Sequence, residues 1–284
     1  MTTIKRIVCA VDLTKASRAA FDRALGLARA SKGRLYIVHA MPANERSWRA
    51  TERLALLTDL QDRAERDGVS VRVVEQQGDP ADLIVQHANA IKADLVVLGS
   101  NRKRGWERFS EGSVGDRVLR RAAWALLIVP WDVPARKWVG AEIMCAIDLT
   151  KASRPAFDTA LSIARTSAGK LYVLQCVPAT KSFSWRSTVR LHLLTQLRER
   201  AERAGVPVRV VEQHGDPASL IVLHANSKGA DLVVLGSNRR RGWQRFKEGS
   251  VGEKVLRRAA WALLIVPWDI PSGKQIEGKT RPRP

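Results

Sequence analysis

The sequence has few cysteines and no long apolar run, and each absence excludes a class of protein. Of its 284 residues only three are cysteine, an odd number without paired spacing, which disfavours both a disulfide framework and a zinc site. No apolar run approaches the roughly 18 to 20 residues that cross a bilayer. The N-terminal segment MTTIKRIVCAVD has no signal-peptide core or cleavage site. We therefore expect a cytoplasmic protein with no membrane partner.

Acidic residues are also scarce relative to basic ones. The chain has 28 Asp+Glu against 48 Lys+Arg, so its formal net charge is +20. A charge of this size predicts attraction to anions, which include nucleotides, nucleic acids and membrane headgroups. Hydrophobic residues make up 45% and charged residues 27% of the chain, which is ordinary for globular proteins and excludes disorder for most of it.

The chain contains two copies of one domain. Residues 93–132 match residues 230–269 at 35 of 40 positions, at an offset of 137. Nearer the start, CAVDLTKASR (9–18) recurs as CAIDLTKASR (145–154), at an offset of 136. A period this long indicates a duplicated domain rather than a short structural repeat. We predict one domain over residues 1–134, a second over 135–272, and a disordered basic tail over 273–284.

Apolar strands alternate with helical patterns within each copy. In the first copy strands are predicted over 4–11, 35–40, 71–76, 94–99 and 125–130, with helices over 17–30, 48–66, from 80, and 113–123. This order predicts an α/β fold of two tandem doubly wound domains, each a five-stranded parallel sheet with helices on both faces. The last strand, ALLIVP, is expected at a sheet edge, where it would pair the two halves as an intramolecular pseudo-dimer. A homodimer of the whole chain is a further arrangement.

Two segments follow strands at positions where such sheets bind ligands. Ala10-Val11-Asp12 ends the first strand, and a glycine-containing stretch from Gly99 to Ser113 follows the fourth. A nucleotide could place its phosphates on the Gly112-Ser113 turn, because the first amides of a helix attract anions. Both segments also have a purely structural interpretation. Ser113 can cap a helix in the pattern Ser-x-x-Asp, and Asp12 can form a capping turn.

The whole arrangement resembles the universal stress protein family, whose nucleotide-binding members carry G-x2-G-x9-G-[S/T] after the fourth strand. Gly99, Gly112 and Ser113 match this motif in the first half, and Gly236, Gly249 and Ser250 match it in the second. The motif's second glycine is replaced by Arg102 and by Arg239. An added side chain could fill the ligand space, yet arginine is itself a phosphate ligand, and the sequence leaves both interpretations open.

The resemblance implies a Rossmann-like fold of the adenine nucleotide alpha hydrolase-like type and a site for ATP or another adenine nucleotide. Asp12 and Asp148 would hold the adenine or ribose end, with Ala40 and Cys176 near the base. Mg²⁺ is expected only together with a bound nucleotide. The implied nucleotide-binding residues are Ala10, Asp12, Ala40, Gly99, Asn101, Arg102, Gly112, Ser113 and Val114 in the first half, and Ala146, Asp148, Cys176, Gly236, Asn238, Arg239, Gly249, Ser250 and Val251 in the second.

No catalytic constellation accompanies these residues. Neither a Ser/His/Asp or Cys/His signature nor a pair of acid/base carboxylates is present, so we do not expect an enzyme.

Half of the excess charge lies in residues 101–121 and 238–258, which carry +4 and +6. We expect a regulatory stress protein that binds an adenine nucleotide or a similar anion. One alternative is a protein that binds nucleic acid or another polyanion, although the sequence has no recognised nucleic-acid-binding motif. The other alternative is a protein-interaction scaffold.

Overall fold

Strands and helices alternate along both halves as the apolar pattern predicts. The computed structural model describes residues 4–41, 47–100, 112–133, 138–177, 186–237 and 250–268. The elements of the first half are β1 (Arg6–Ala10), α1 (Lys15–Ser31), β2 (Arg34–Met41), α2 (Ser47–Arg66), β3 (Ser70–Gln77), α3 (Pro80–Ala90), β4 (Leu95–Ser100), α4 (Val114–Arg121) and β5 (Ala125–Pro130). Those of the second half are β6 (Glu142–Ile147), α5 (Ser153–Thr166), β7 (Lys170–Val177), α6 (Arg186–Arg203), β8 (Val208–His214), α7 (Pro217–Ser227), β9 (Leu232–Ser237), α8 (Val251–Arg258) and β10 (Ala262–Pro267).

The ten strands form one continuous sheet in the order β3-β2-β1-β4-β5-β10-β9-β6-β7-β8. Within each half every paired strand runs parallel to its neighbour, which confirms the two predicted five-stranded parallel sheets. The winding reverses between β1 and β4, and again between β6 and β9. Ligands of doubly wound folds bind at such reversals, outside the carboxyl ends of the strands.

The two halves join through their last strands, as expected from the sequence. β5 and β10 pair antiparallel, with Leu127 opposite Leu264 at the centre of the pairing. All six residues of each of these strands are buried. Because the joining pair is antiparallel, the strands of the two halves run in opposite directions. Their carboxyl ends, and therefore their candidate sites, lie at opposite edges of the sheet.

Each face of the sheet is covered by one set of helices. Helices α1, α2, α5 and α6 contribute to one hydrophobic core, and α3, α4, α7 and α8 to the other. Neighbouring residues of a strand point to opposite cores, as Val8 and Cys9 of β1 do. Both cores contain residues of both halves, so the two halves bury apolar surface together.

Trp138, in the segment between the halves, is docked against α1. Its side chain is buried, and its indole N–H donates a hydrogen bond of 2.9 Å to the carbonyl oxygen of Arg23. The guanidinium of Arg23 lies over the indole ring, 5.1 Å from its centroid. Gly26 leaves room for the ring, since a Cβ at that position would overlap the indole. The connecting segment is thus anchored to the first half immediately before β6 begins.

The remaining predictions about organisation concern parts of the chain that are not described. The predicted domain boundary between residues 134 and 135 falls in such a gap, and so does the tail over 273–284. In the ranges that the structure describes, no helix is both long and apolar enough to cross a bilayer.

Candidate functional site

The crevice of the first half lies between the ends of β1 and β4. Gly99, near the end of β4, packs directly against the start of α1, because a Cβ at this position would overlap the carbonyl group of Ala16. Gly236 approaches Ala152 in the same way in the second half. The first glycine of each motif is therefore required for close packing between strand and helix, whether or not a ligand is bound.

Asp12 forms a tight turn between β1 and α1. Its carboxylate accepts hydrogen bonds from the amide of Thr14 at 3.1 Å and from the Thr14 hydroxyl at 2.6 Å. Leu13, between them, has a left-handed backbone with φ of 62°, a conformation that is unusual for a bulky residue. The capping turn considered from the sequence is therefore present. The Asp12 side chain nevertheless remains exposed at the crevice.

The second half repeats this turn with a different hydroxyl donor. The carboxylate of Asp148 accepts from the amide of Thr150 at 2.9 Å and from the hydroxyl of Ser153 at 2.8 Å. Leu149 is left-handed as well, with φ of 59°. Strained backbone at equivalent positions of two halves persists only where the surrounding structure enforces it.

The start of α4 forms the other wall of the first crevice. The hydroxyl of Ser113 accepts a hydrogen bond of 3.2 Å from the amide of Asp116, and the Asp116 carboxylate accepts one of 3.1 Å from the amide of Gly112. Gly112 has φ of 89°, which favours glycine. These contacts confirm the capping role. The amides of Val114 and Gly115 make no hydrogen bond within the described chain, so two donors stay available to an anion.

The start of α8 is built in the same way. The hydroxyl of Ser250 accepts a hydrogen bond of 3.2 Å from the amide of Glu253. In the part of the second half that is described, the amides of Val251 and Gly252 have no partner either. Each half therefore presents a helix N-terminus with two open amides at the carboxyl edge of its sheet. Gly115 and Gly252, two residues after the motif's serine, were not singled out from the sequence, because a backbone donor has no side-chain signature.

The ends of β1, β2 and their counterparts provide the third wall, and here the halves differ. Ala10 and Ala40 are half-buried, whereas Ala146 and Cys176 are buried. Beside Ala40, the imidazole of His39 is buried and its Nδ1 donates a 2.8 Å hydrogen bond to the carbonyl of Val11. The equivalent residue of the second half is Gln175, whose buried Oε1 has no partner among the described residues.

Five predicted site residues lie outside the described residues, so their placement stays a prediction. They are Asn101, Arg102, Asn238, Arg239 and Gly249. The two arginines that replace the motif's second glycine are among them.

Part of the positive charge near the site is neutralised locally. Arg117 forms a bidentate ion pair with Asp79 at 2.6 and 2.8 Å, and Arg121 pairs with Asp82. Arg120 pairs with Asp116 at 2.9 Å. The positive charge counted over residues 101–121 is therefore not all available to an anion. Arg117 and Arg121 have acidic partners because α4 packs against α3, a contact that the local charge count did not include, whereas Arg120 pairs within α4.

The cysteines show no sign of reactive chemistry. Burial raises the pKa of the Cys9 and Cys145 thiols, and Asp22 and Asp158 respectively add to this effect. Burial, followed by Asp148 and Asp216, raises the pKa of Cys176 to about 11. All three thiols are neutral at physiological pH and behave as small apolar groups. Across the described ranges no group of three or more His, Cys, Asp or Glu side chains could hold a metal ion.

The fold and the two crevices define a tandem doubly wound α/β protein in which each half carries a helix N-terminus with two open amides at the carboxyl edge of its sheet. A family model described as "Universal stress protein family" matches residues 3–130 and 141–267. The chain belongs to the universal stress protein family, as the sequence resemblance implied.

Two curated relatives match one half of the chain. A universal stress protein of Methanocaldococcus jannaschii is 30% identical over 138 residues, which cover 44% of this chain and 81% of the relative. The Bacillus subtilis universal stress protein YxiE is 28% identical over 144 residues, covering 44% of this chain and 97% of YxiE.

Two solved structures match both halves. A universal stress protein from Archaeoglobus fulgidus has a TM-score of 0.74 at 16% identity, and the match covers 92% of this chain and 98% of that one. A protein from Pseudomonas aeruginosa titled a putative universal stress protein has a TM-score of 0.68 at 19% identity, covering 93% of each chain. At these identities the matches establish the tandem fold.

Proposed function

We propose that this protein is a cytoplasmic regulatory stress protein that binds an adenine nucleotide, or a similar phosphate-bearing anion, at one or both of its carboxyl-edge crevices. The observation that carries the proposal is the pair of open amides at the start of α4 and α8. These amides lie beside the winding reversal, where a doubly wound sheet takes its ligand. Helix N-termini favour negative charge, so phosphate groups are the natural occupants.

The remaining groups of each crevice match the other parts of a nucleotide. The exposed carboxylate of Asp12 or Asp148 can accept hydrogen bonds from ribose hydroxyls. Ala40, half-buried near the end of β2, offers backbone and apolar surface to the base, whereas Cys176, at the equivalent place in β7, is buried. A bound nucleotide would bring Mg²⁺ through its own phosphates. The described crevice residues include no pair of acid/base carboxylates, the motif serines cap helices and the Cys176 thiol is neutral, so we infer binding without turnover.

Proline substitution can remove one open amide while the helix start is kept. Proline is favoured at the first helical position, and the preceding residues, Ser113 with ψ of 156° and Ser250 with ψ of 148°, already have the extended backbone that proline requires. Val114→Pro therefore deletes a donor in the first half, and Val251→Pro deletes the equivalent donor in the second. A hydrogen bond to a charged group contributes about 1.5–3 kcal/mol, so each change should weaken ATP binding in its own half by about tenfold or more.

Isothermal titration of the whole chain with ATP tests the proposal. The wild type should bind, and the two single variants should identify which half is occupied. Val114→Ala is the control, because it keeps the backbone amide and should bind ATP as the wild type does. A proline elsewhere, such as Val71→Pro in β3, would disrupt a strand and is not suitable. An absence of ATP binding to the wild type, with salt-dependent retention on DNA, would favour the polyanion-binding alternative instead.

A further inference from the structure

The facing surfaces of α3 and α4 hold a balanced set of ion pairs in the first half. Asp79 accepts two hydrogen bonds from Arg117, at 2.6 and 2.8 Å. Asp82 accepts from Arg121, and from Arg117 at 3.4 Å. The Arg117 guanidinium lowers the pKa of Asp79 further below its usual range than its backbone contacts alone would. Two carboxylates thus neutralise two guanidinium groups.

The second half carries the same arrangement with one carboxylate missing. At the repeat offset of 137, Asp79 corresponds to Asp216, but Asp82 corresponds to Ser219. The hydroxyl of Ser219 accepts a single hydrogen bond of 3.4 Å from Arg258, which stands where Arg121 does. Asp216 remains at the start of α7 and accepts from the Ser219 amide at 2.9 Å.

Lys254 occupies the position of Arg117 and adds to this imbalance. In the described chain its ammonium group makes no hydrogen bond and no ion pair within 4 Å, although its charge, like that of Arg258, helps to lower the pKa of Asp216 after the two hydrogen bonds from Ser219. One carboxylate therefore faces two cations here. Ser219, Lys254 and Arg258 are all exposed, so the surplus charge is accessible from solvent.

We propose that the surface formed by Ser219, Lys254 and Arg258 is an anion site that binds a phosphate group, in the position that the first half fills with its own Asp82 carboxylate. In the first half, the guanidinium groups of Arg117 and Arg121, the fourth and eighth residues of α4, both reach one carboxylate oxygen of Asp82. Lys254 and Arg258 are the fourth and eighth residues of α8. An arginine supplies forked donors and a lysine supplies a point charge, which together match the several oxygens of a phosphomonoester, while the small Ser219 leaves open the place that a carboxylate fills in the first half.

This anion site is distinct from the nucleotide crevice. Its groups lie on the surface shared by α7 and α8, whereas the crevice uses the first two amides of α8. The site exists in the second half only, because the first half neutralises the equivalent cations internally. The proposal therefore predicts that the two halves differ in phosphate binding at this surface, whereas the nucleotide motif is the same in both halves.

A reciprocal exchange between the halves tests the site in the full chain. Inorganic phosphate is added to the wild type at constant ionic strength, with chloride as the reference, and the arginine Nε–H signals are followed by NMR. Arg258 should shift with phosphate and not with chloride. Ser219→Asp supplies the missing carboxylate and should abolish this shift, while Asp82→Ser should create a phosphate-dependent shift at Arg121.

A thermal measurement gives an independent readout. Ser219→Asp should raise the midpoint of unfolding without phosphate, and phosphate should raise the midpoint of the wild type but not of this variant. The proposal is wrong if Arg258 responds equally to phosphate and chloride, or if its phosphate response survives in Ser219→Asp. Neither result bears on the nucleotide crevice, which Val114→Pro and Val251→Pro examine separately.

Discussion

Replacing Trp138 by alanine should destabilise the chain strongly, although this residue belongs to neither half's repeat. The indole is 6% exposed, donates a hydrogen bond to the Arg23 carbonyl and packs under the Arg23 guanidinium. Truncating a buried tryptophan to alanine costs about 3–5 kcal/mol, and the lost hydrogen bond lies within that range. Trp131→Ala provides the comparison, because this residue is 41% exposed and the loss should be smaller, about 1–2 kcal/mol.

Gly26, which packs against the Trp138 ring, provides a second test of this contact. In the wild type, Gly26→Ala places a methyl group into the indole and should cost about 1–3 kcal/mol through overpacking. In the Trp138→Ala background the same substitution meets no ring. It should then stabilise the chain by up to about 1 kcal/mol, because alanine is a better helix former than glycine in the interior of α1.

Equilibrium denaturant unfolding of the four proteins in this double-mutant cycle measures the coupling directly. The expected result is a change of sign for Gly26→Ala between the two backgrounds. An equal effect of Gly26→Ala in both backgrounds would refute the reasoning, since it would mean that Trp138 does not occupy the space above Gly26.

Four further predictions concern the crevices and the surrounding charges. Gly99→Ala and Gly236→Ala should each destabilise the chain by about 1–3 kcal/mol or more through overlap with the start of α1 or α5, measured by thermal unfolding. Gly68→Ala, whose Cβ would meet open space at φ of 71°, should cost only about 1–2 kcal/mol through its left-handed backbone. Ser113→Ala and Ser250→Ala should each cost about 1 kcal/mol by removing a helix cap, whereas Ser113→Asp should retain that stability. The lowered pKa of Asp79 means that its ion pair stabilises the fold above the unfolded pKa of about 3.9 and loses this contribution as pH falls through the folded value. Asp79→Asn keeps the helix cap but should flatten this acidic part of the stability profile, and an unchanged profile would contradict the assignment. Because the pKa of Cys176 is raised to about 11, iodoacetamide should label this thiol far more slowly in the native than in the denatured protein near neutral pH.

The fold could be predicted from the sequence because its local signals agree with one another. The strands carry continuous apolar runs, Asp79-Pro80 and Asp216-Pro217 mark helix starts, and the duplication shows each signal twice. The pairing of β5 with β10 also followed, since ALLIVP is too apolar for an exposed edge. The structure places all of these elements within a few residues of their predicted bounds.

Features that depend on contacts between distant segments could not be predicted in this way. Trp138 is the one tryptophan without a counterpart in the other half, but nothing local connects it with Gly26. The ion pairs of Arg117 and Arg121 require α3 and α4 to pack together. The left-handed backbone of Leu13 runs against the preference of its own side chain, so a local pattern would not assign it.

The location of the candidate site at the winding reversals stays a prediction, and the structure defines the local roles of only some of its residues. Asp12, Gly99, Gly112 and Ser113 lie together at the carboxyl edge, and each has a structural role there that the sequence had offered as an alternative. The open amides that could contact phosphate belong instead to the two residues after the serine, Val114 and Gly115. Backbone donors carry no sequence signature of their own, which explains why one of them was missed.

Chromatography of the nucleotide released on denaturation tests the central claim most directly. The freshly purified wild type, the two single proline variants and the Val114→Pro/Val251→Pro double variant are denatured in parallel, and the adenine nucleotide in each supernatant is quantified against protein. The account predicts release from the wild type, a reduced amount from whichever single variant alters an occupied half, and almost none from the double variant. Equal release from the wild type and the double variant, or no release together with no binding of added ATP, would contradict it.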